Sequence, residues 1–303
     1  MRALIVHSDD FGLSPQVNRG VVRAHREGVL TSASLLPNGP AFDEATRAAH
    51  ALPGLGVGIE WNLVRGRPLC APDRVRSLIG RGGCFPGEAG RVLARGLLGR
   101  LDPEHVAREL EAQLARVRDA GIAPTHVCGE KHGHLFPGVA EVAARVAARS
   151  GLKAYRSIVP FSPARRVESS PAERGSLAGR ARAEIVTACA RAARRHYAVA
   201  GLVGPDGFFG LARTGEVDAA LVEEAARAIG EGVHELMTHV GETGSEVSTD
   251  WGRYRIDGAR PRELEVLCAP GLRERIASAG VTLVHFGQLL EMRHTAAPVQ
   301  AGP

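Results

Sequence analysis

The sequence predicts an α/β fold in which parallel strands and covering helices form a (β/α) TIM-like barrel. Short apolar segments rich in Val, Ile and Leu alternate with longer amphipathic segments rich in Ala, Arg and Glu. This alternation is typical of buried parallel strands connected by helices. Single barrels commonly extend to about 250 residues or more. We therefore expect one domain over residues 1–293 of the 303-residue chain.

The pattern predicts about seven strand–helix units. The predicted strands cover residues 3–7, 32–36, 56–59, 126–128, 154–158, 234–238 and 282–285. The predicted helices cover residues 15–27, 41–51, 103–120, 138–150, 217–229 and 261–279. Two helix starts carry a capping pattern, because Ser14 precedes Pro15 and Asp102 precedes Pro103.

Two segments interrupt this pattern. Residues 160–216 are rich in Pro, Ser, Gly and Arg and contain a helical run at 181–200. We interpret them as an insertion over the barrel that forms a lid or an oligomer contact, such as a homodimer interface. Residues 66–100 are rich in Gly and Arg and are expected to form a loop that shapes a substrate pocket. The segment 294–303 is expected to be a flexible tail.

The composition argues against several classes of protein. Hydrophobic residues make up 44% and charged residues 23% of the chain, as in ordinary globular proteins. No segment approaches the roughly 20 apolar residues of a membrane helix. The aromatic content of 4% argues against the stacking surfaces of nucleic-acid-binding proteins. The five cysteines are scattered and form no CxxC pair, so we expect no disulfide framework and a reducing, cytoplasmic location.

Five residues with acid–base or metal-binding chemistry follow predicted strands. Asp9 and Asp10 follow the first strand, Glu60 the third, Glu130 the fourth and His239 the sixth. The carboxyl ends of barrel strands open on one face, where the active sites of barrel enzymes lie. We therefore expect these side chains to converge. One of two adjacent carboxylates can bind a cation while the other takes a proton from a nearby water, which makes Asp10 the candidate ligand and Asp9 the candidate base.

The segment THVCGEKHGHLFP at residues 125–137 is the richest cluster of potential ligands in the chain. His126 and Cys128 are expected to be core residues of the strand. His132 and His134 lie in the following loop, and we expect them to bind the substrate or to replace a metal ligand.

Two further residues are candidates for substrate binding. Trp61 follows Glu60 directly, and its ring could stack on a sugar or take a place in the core. Arg156 could clamp a substrate carboxylate, hold a catalytic acid or form a plain salt bridge.

Several blocks, in this order along the chain, resemble the YdjC-like carbohydrate deacetylases. They are HSDDFGLSPQVNRGV, SASLLPNGPAFDEA, GVGIEWNLVRGRPL, THVCGEKHGHLFP, HELMTHVGE and RPRELEVLCAPGLRERIASAGVTLVHFGQL. The resemblance implies an incomplete or distorted barrel and the metal-dependent hydrolysis of an acetamide on a sugar. It also implies that Asp10 binds the metal, that Asp9 is the general base and that His239 either protonates the leaving amine or stabilises the oxyanion. Asn62, in the GIEWNL block, joins the expected substrate-binding residues.

The chain departs from the family pattern at the metal site. Glu60 stands where the family motif G-x-H-x-N-L has histidine, Glu130 stands at the histidine of D-S-H-K-H-x-H, and Val240 replaces a proline after His239. A site of Asp10, Glu60 and Glu130 has only oxygen donors. Mg²⁺, Mn²⁺ or Ca²⁺ would therefore suit it better than Zn²⁺, which prefers nitrogen and sulfur and stays the alternative.

The sequence leaves three functions open. The first is a metal-dependent hydrolase that removes an N-acetyl group from an amino sugar or a glycosylated metabolite. The second is an enzyme of the same fold that uses its carboxylate-rich site for epimerisation or rearrangement, because clustered carboxylates raise one another's pKa. The third is a catalytically silent binding protein. The expected partner is a small sugar or glycoside in each case.

Overall fold

The computed structural model of the chain describes residues 1–158, 177–244, 251 and 258–295. One seven-stranded sheet has the order β4-β3-β2-β1-β6-β5, with β7 also paired to β1. All of these pairings are parallel. The strands are β1 (Arg2–Phe11), β2 (Ser32–Leu35), β3 (Gly56–Trp61), β4 (Val127–Gly129), β5 (Gly207–Phe209), β6 (Gly232–Thr238) and β7 (Thr282–Leu283).

The sheet curls into a distorted barrel, which confirms the predicted fold class. Beyond β4, Val127 forms a bridge with Tyr155, and Ala154 forms a second bridge with Val203. The chain continues from Val203 into β5, which pairs with β6. The strand predicted at 154–158 is reduced to these two bridges, one to the three-residue strand β4 and one to Val203.

Helices cover the outside of the sheet. They are α1 (Pro15–Glu27), α2 (Phe42–His50), α3 (Ala89–Leu97), α4 (Pro103–Asp119), α5 (Ala140–Arg149), α6 (Leu177–Val199), α7 (Ala219–Ala228), α8 (Ala259–Leu267), α9 (Leu272–Ser278) and α10 (Leu289–Thr295). The predicted caps Ser14 and Asp102 accept hydrogen bonds from backbone N–H groups in the first turns of α1 and α4.

Three sequence predictions need correction. The helix predicted at 261–279 is two helices, α8 and α9, because Pro270 and the left-handed Gly271 (φ 73°) end the first and start the second. The segment 66–100 contains α3 rather than only irregular loop. The expected insertion at 160–216 contains β5, a strand of the barrel. Residues 159–176 of that insertion and 296–303 of the expected tail lie outside the described residues.

The central strand β1 connects the core to the site. Its side chains alternate, as strand geometry requires. Leu4 and Val6 belong to the large core cluster, whereas Ala3 and Ile5 belong to a second, smaller one together with Phe286. Continuing the alternation places residue 7 and then residue 9 on the same face as Ala3 and Ile5. Asp9 therefore lies at the C-terminal mouth of the barrel.

All five cysteines are free, as expected from their spacing. Among the helices that the structure describes, none combines the length and the apolar character needed to cross a membrane.

Candidate active site

The C-terminal ends of β1, β4 and β6 open into a cavity of about 280 Å³. This volume is near the lower end of the range for small-molecule sites. Apolar side chains from α3, α6 and the loop after β5 form part of its wall, including Leu93, Val186 and Leu211. The charged and imidazole residues in the lining are Asp9, Glu130, Lys131, His132, Arg182 and His239.

A distortion of β1 explains how two adjacent aspartates reach the site. Neighbouring residues in a regular strand point to opposite faces. The pairing of β1 with β2 shifts register between Ser8 and Phe11, and Asp10 has a positive φ of 68°. Such a bulge redirects the side chain that follows it. Both Asp9 and Asp10 consequently have a carboxylate oxygen within 4.8 Å of one on Glu60.

Asp10, Glu60 and Glu130 form the three-carboxylate cluster. Each contributes one oxygen, and these oxygens lie within 4.8 Å of one another. All three residues are buried. The Asp10 N–H donates to Glu60 Oε2 at 2.7 Å, and the Ser34 hydroxyl donates to the same oxygen at 3.0 Å. The cluster is therefore fixed by the backbone of β1 and by a side chain of β2.

A strained turn places Glu130 and the residues that follow it. Glu130 begins a short 3-10 helix, Glu130–Leu135, in which Lys131 and His132 have positive φ values of 50° and 61°. Positive φ is uncommon outside glycine, and such strain concentrates at functional sites. Arg65 Nε lies 3.3 Å from Glu130 Oε1.

A second cationic residue, Arg156, holds Asp9 in position and stabilises its charge. It is fully buried, and its Nη1 donates to Asp9 Oδ2 at 2.7 Å. Its Nε donates to Glu235 Oε1 at 2.8 Å, and its Nη2 lies 2.7 Å from His7 Nδ1. Burial acts to raise the pKa of Asp9, but Arg156 and His7 outweigh burial and hold that pKa well below its usual range. Asp9 is therefore an ionised carboxylate at neutral pH.

The negative charge of the three-carboxylate cluster is less fully neutralised by nearby cations than that of Asp9. Burial, together with the negative charges of Asp10, Asp9 and Glu130, raises the pKa of Glu60 well above its usual range. Burial and the charge of Asp10 also raise the pKa of Glu130, against the opposing effect of Lys131. A further positive charge beside these two groups would oppose both shifts.

His239 lies beside Asp9, with 3.8 Å between its Nε2 and Asp9 Oδ2. Its backbone N–H donates to Glu263 Oε2 at 2.6 Å, which ties the end of β6 to α8. Burial lowers the pKa of His239 to about 4 despite the nearby Asp9, so the imidazole is neutral at neutral pH. Burial also raises the pKa of Glu263 to about 7.

The donor chemistry of the three-carboxylate cluster fits a hard divalent cation. Its members offer only oxygen atoms, as Mg²⁺, Mn²⁺ and Ca²⁺ prefer. Glu130 Oε1 is buried and makes no hydrogen bond among the described residues, although Arg65 Nε lies 3.3 Å away. A cation would oppose the burial and the charge repulsion that raise the pKa of Glu60. A second group of Asp9, Glu60 and Cys128 also converges within 4.8 Å. Burial raises the pKa of the Cys128 thiol well above its usual range, which makes it a poor ligand.

Of the residues expected to bind substrate, only His132 lines the cavity. Its Nδ1 is buried and has no hydrogen-bond partner among the described residues. Trp61 points to the other side of β3, where its indole N–H donates to the Leu110 carbonyl of α4 at 3.0 Å. This placement explains its burial as core packing, because Trp61 and Glu60 are neighbours on a strand and face opposite sides.

The other three expected substrate ligands have structural partners. The Asn62 side chain donates to the Arg65 carbonyl at 2.9 Å and accepts from the Arg65 N–H at 3.0 Å, so it shapes the loop that carries Arg65. His134 Nε2 lies 3.0 Å from the Arg156 carbonyl. Arg156 itself binds Asp9 rather than facing the cavity.

Three of the cationic side chains that surround the carboxylates were not predicted from the sequence. Arg260, in the first turn of α8, donates a short hydrogen bond to Asp10 Oδ2. Arg65 and Lys131 lie beside Glu130. Their presence, though not their positions, could have been expected. Several carboxylates predicted to converge in one buried site require buried positive charges beside them.

Comparisons with known proteins agree with this architecture. A human carbohydrate deacetylase is 35% identical over 309 residues, which cover 94% of this chain and 90% of the relative. A carbohydrate deacetylase of Geobacillus stearothermophilus is 41% identical over 164 residues, covering 54% of this chain and 60% of that protein. A chitooligosaccharide deacetylase of Salmonella paratyphi B is 38% identical over 162 residues, covering 50% and 58%.

A solved structure shares the fold. The protein is from Enterococcus faecalis V583, and its name associates it with cellobiose-phosphate cleavage. The superposition has a TM-score of 0.72 at 23% identity and covers 95% of this chain and 98% of that one. The family model described as YdjC-like protein matches residues 3–278. The chain therefore belongs to the YdjC-like family, several relatives of which are named carbohydrate deacetylases.

Proposed function

We propose that this chain is a divalent-cation-dependent hydrolase that removes an N-acetyl group from an amino sugar or a glycosylated metabolite. The observation that carries the proposal is that Asp9, His239 and Glu130 line one cavity, and that Glu60 lies within 4.8 Å of Asp9 and of the other two members of the three-carboxylate cluster. The names of the relatives support a carbohydrate amide as the substrate.

The three-carboxylate cluster would hold the cation. A bound Mg²⁺ or Mn²⁺ would polarise the acetyl carbonyl and make a water molecule more acidic. Zn²⁺ is the weaker candidate for a site with oxygen donors alone. The Asp10 N–H and the Ser34 hydroxyl orient Glu60 for this role, because hydrogen bonds around a ligand fix its position.

Asp9 would accept the proton of the attacking water. Its carboxylate is ionised, lines the cavity and is held by Arg156. A base must be both unprotonated and fixed within reach of its proton donor. The new C–O bond forms at the acetyl carbon as the water loses its proton to Asp9.

His239 would assist the departure of the amine. Its imidazole is neutral, and its Nε2 lies 3.8 Å from Asp9 Oδ2, so a small movement brings the two groups into contact. The C–N bond breaks as the amine nitrogen receives a proton, which His239 carries from Asp9. The products are acetate and the free amino sugar, and water supplies the oxygen and both protons that the products gain.

Acetate release tests this proposal. We would incubate the protein and Mn²⁺ with N-acetylglucosamine, its β-linked oligomers and N-acetylglucosaminides, and measure acetate and free amine together. Asp9→Asn is expected to lower kcat/KM at least about 100-fold. Asp43→Asn is the matched control, because the Asp43 side chain is 79% exposed on α2. Equal rates for Asp9→Asn and the wild type would contradict the assignment of the base.

The raised pKa of Glu60 favours one alternative, non-hydrolytic acid–base chemistry. In the absence of a cation, a protonated Glu60 beside the ionised Asp9 would supply an acid and a base in one site. Epimerisation or rearrangement would consume the sugar and release no acetate. A protein that binds these sugars without any turnover would instead support the silent binding function.

A further inference from the structure

Arg260 occupies one side of the three-carboxylate cluster. Its side chain is 6% exposed, and its Nη2 donates a short hydrogen bond to Asp10 Oδ2. Burial acts to raise the pKa of Asp10, but nearby positive charge, chiefly that of Arg260, lowers it to about 2. The guanidinium therefore binds the same carboxylate that would hold a cation.

Packing keeps Arg260 in this place. Its aliphatic stem lies against Gly241, where an added Cβ would be 3.3 Å from both Cβ and Cδ of Arg260. The helix that carries it, α8, is joined to the end of β6 by the bond from the His239 N–H to Glu263 Oε2 at 2.6 Å. These contacts hold the stem of Arg260 and the helix that carries it beside the end of β6.

Cationic side chains of the protein already surround the carboxylates. The carboxylates are those of Asp9, Asp10, Glu60 and Glu130, and the cationic side chains that contact or influence them are Arg65, Lys131, Arg156 and Arg260. Arg156 also pairs with Glu235, whereas Arg260 is in direct contact with Asp10. Because like charges repel strongly in a buried site, the binding of a divalent cation to Asp10 would be opposed by Arg260.

We propose that Arg260 sets the affinity of the three-carboxylate cluster for divalent cations, because its guanidinium and the cation compete for the Asp10 carboxylate. This inference rests on the proposed cation site and adds a residue that tunes it. Arg260 is a positioning residue for Asp10, and it acts on cation binding rather than on the substrate. A purely structural ion pair would instead stabilise the fold and leave cation affinity unchanged when it is removed.

Calorimetric titration with Mn²⁺ and Mg²⁺ tests the competition directly and needs no turnover. Arg260→Met keeps the aliphatic stem and removes the charge, and its dissociation constant for Mn²⁺ is expected to fall at least about tenfold below that of the wild type. Arg260→Lys keeps a cation and is expected to stay within about threefold of the wild type. Arg262→Met is the matched control, because Arg262 is exposed on the same helix and its Nε donates to the Gly258 carbonyl at 2.8 Å.

The outcomes separate this inference from the proposed function. Tighter binding by Arg260→Met alone supports the competition. If the wild type binds the cation and Arg260→Met binds it equally or more weakly, the competition is refuted and the cation site is still supported. An absence of binding in every variant overturns both. Circular dichroism checks that Arg260→Met is folded. If this variant unfolds, Arg260→Lys decides: a Mn²⁺ affinity more than tenfold above or below that of the wild type would overturn the inference.

Discussion

Replacing Arg156 by Met tests how the site keeps Asp9 ionised. The guanidinium is fully buried, with Nη1 2.7 Å from Asp9 Oδ2 and Nη2 2.6 Å from Glu235 Oε1. Its removal leaves two buried carboxylates without their counter-charge. Breaking a buried ion pair in this way lowers stability by about 3–5 kcal/mol, and we expect about 4 kcal/mol for Arg156→Met. In a chain of this size, such a loss lowers Tm by roughly 10 °C.

Urea denaturation with a chelator present measures the change in the free energy of unfolding. Arg91→Met is the matched control, since Arg91 and Glu88 form an exposed pair at 3.2 Å, and its effect is expected to stay below about 1 kcal/mol. Adding Glu235→Met to Arg156→Met should recover at least about 1 kcal/mol, because one unpaired carboxyl is then removed. A loss below about 1 kcal/mol for Arg156→Met, or no recovery in the double variant, would refute the electrostatic reasoning.

Three further predictions concern Glu263, Trp61 and cation binding. The pKa of Glu263 is raised to about 7 in the folded protein, so its stabilising contribution is present below its unfolded pKa and is lost as pH rises through 7. The stability of the wild type relative to Glu263→Gln should therefore fall by about 2 kcal/mol between pH 5 and pH 8, as urea titrations would show; a difference independent of pH would contradict this. Trp61→Phe removes the hydrogen bond to the Leu110 carbonyl and should lower the free energy of unfolding by about 1 kcal/mol without changing KM. An altered KM would instead indicate that Trp61 contacts the substrate. Mn²⁺ at about 100 times its dissociation constant should stabilise the wild type by about 2.7 kcal/mol, and an unchanged Tm on adding Mn²⁺ would argue against a folded-state site.

The alternation of strands and helices predicted the α/β fold class, which the parallel sheet confirms. The predicted strand ends put Asp10, Glu60 and Glu130 at one face, and the structure brings their oxygens within 4.8 Å. The bulge that lets Asp9 and Asp10 share that face could not be predicted, because register shifts depend on the pairing of β1 with β2.

The environment of the carboxylates was not predictable from local patterns. Arg260 is 250 positions from Asp10 in the chain, and no spacing rule connects the two. Side-chain direction was predictable in one case, since period-two alternation already separates Trp61 from Glu60. The broken helix at α8 and α9 was also visible in the sequence, because Pro270 is followed by Gly271.

The proposed function depends on a divalent cation in the three-carboxylate cluster. We would measure it by elemental analysis of protein purified without chelator or added metal, then of protein dialysed against Mn²⁺, with Asp10→Ala treated in the same way. We expect about one cation per wild-type chain and loss of that cation in the variant. Wild-type protein that contains no cation and takes up neither Mn²⁺, Mg²⁺ nor Zn²⁺ would refute the cation site.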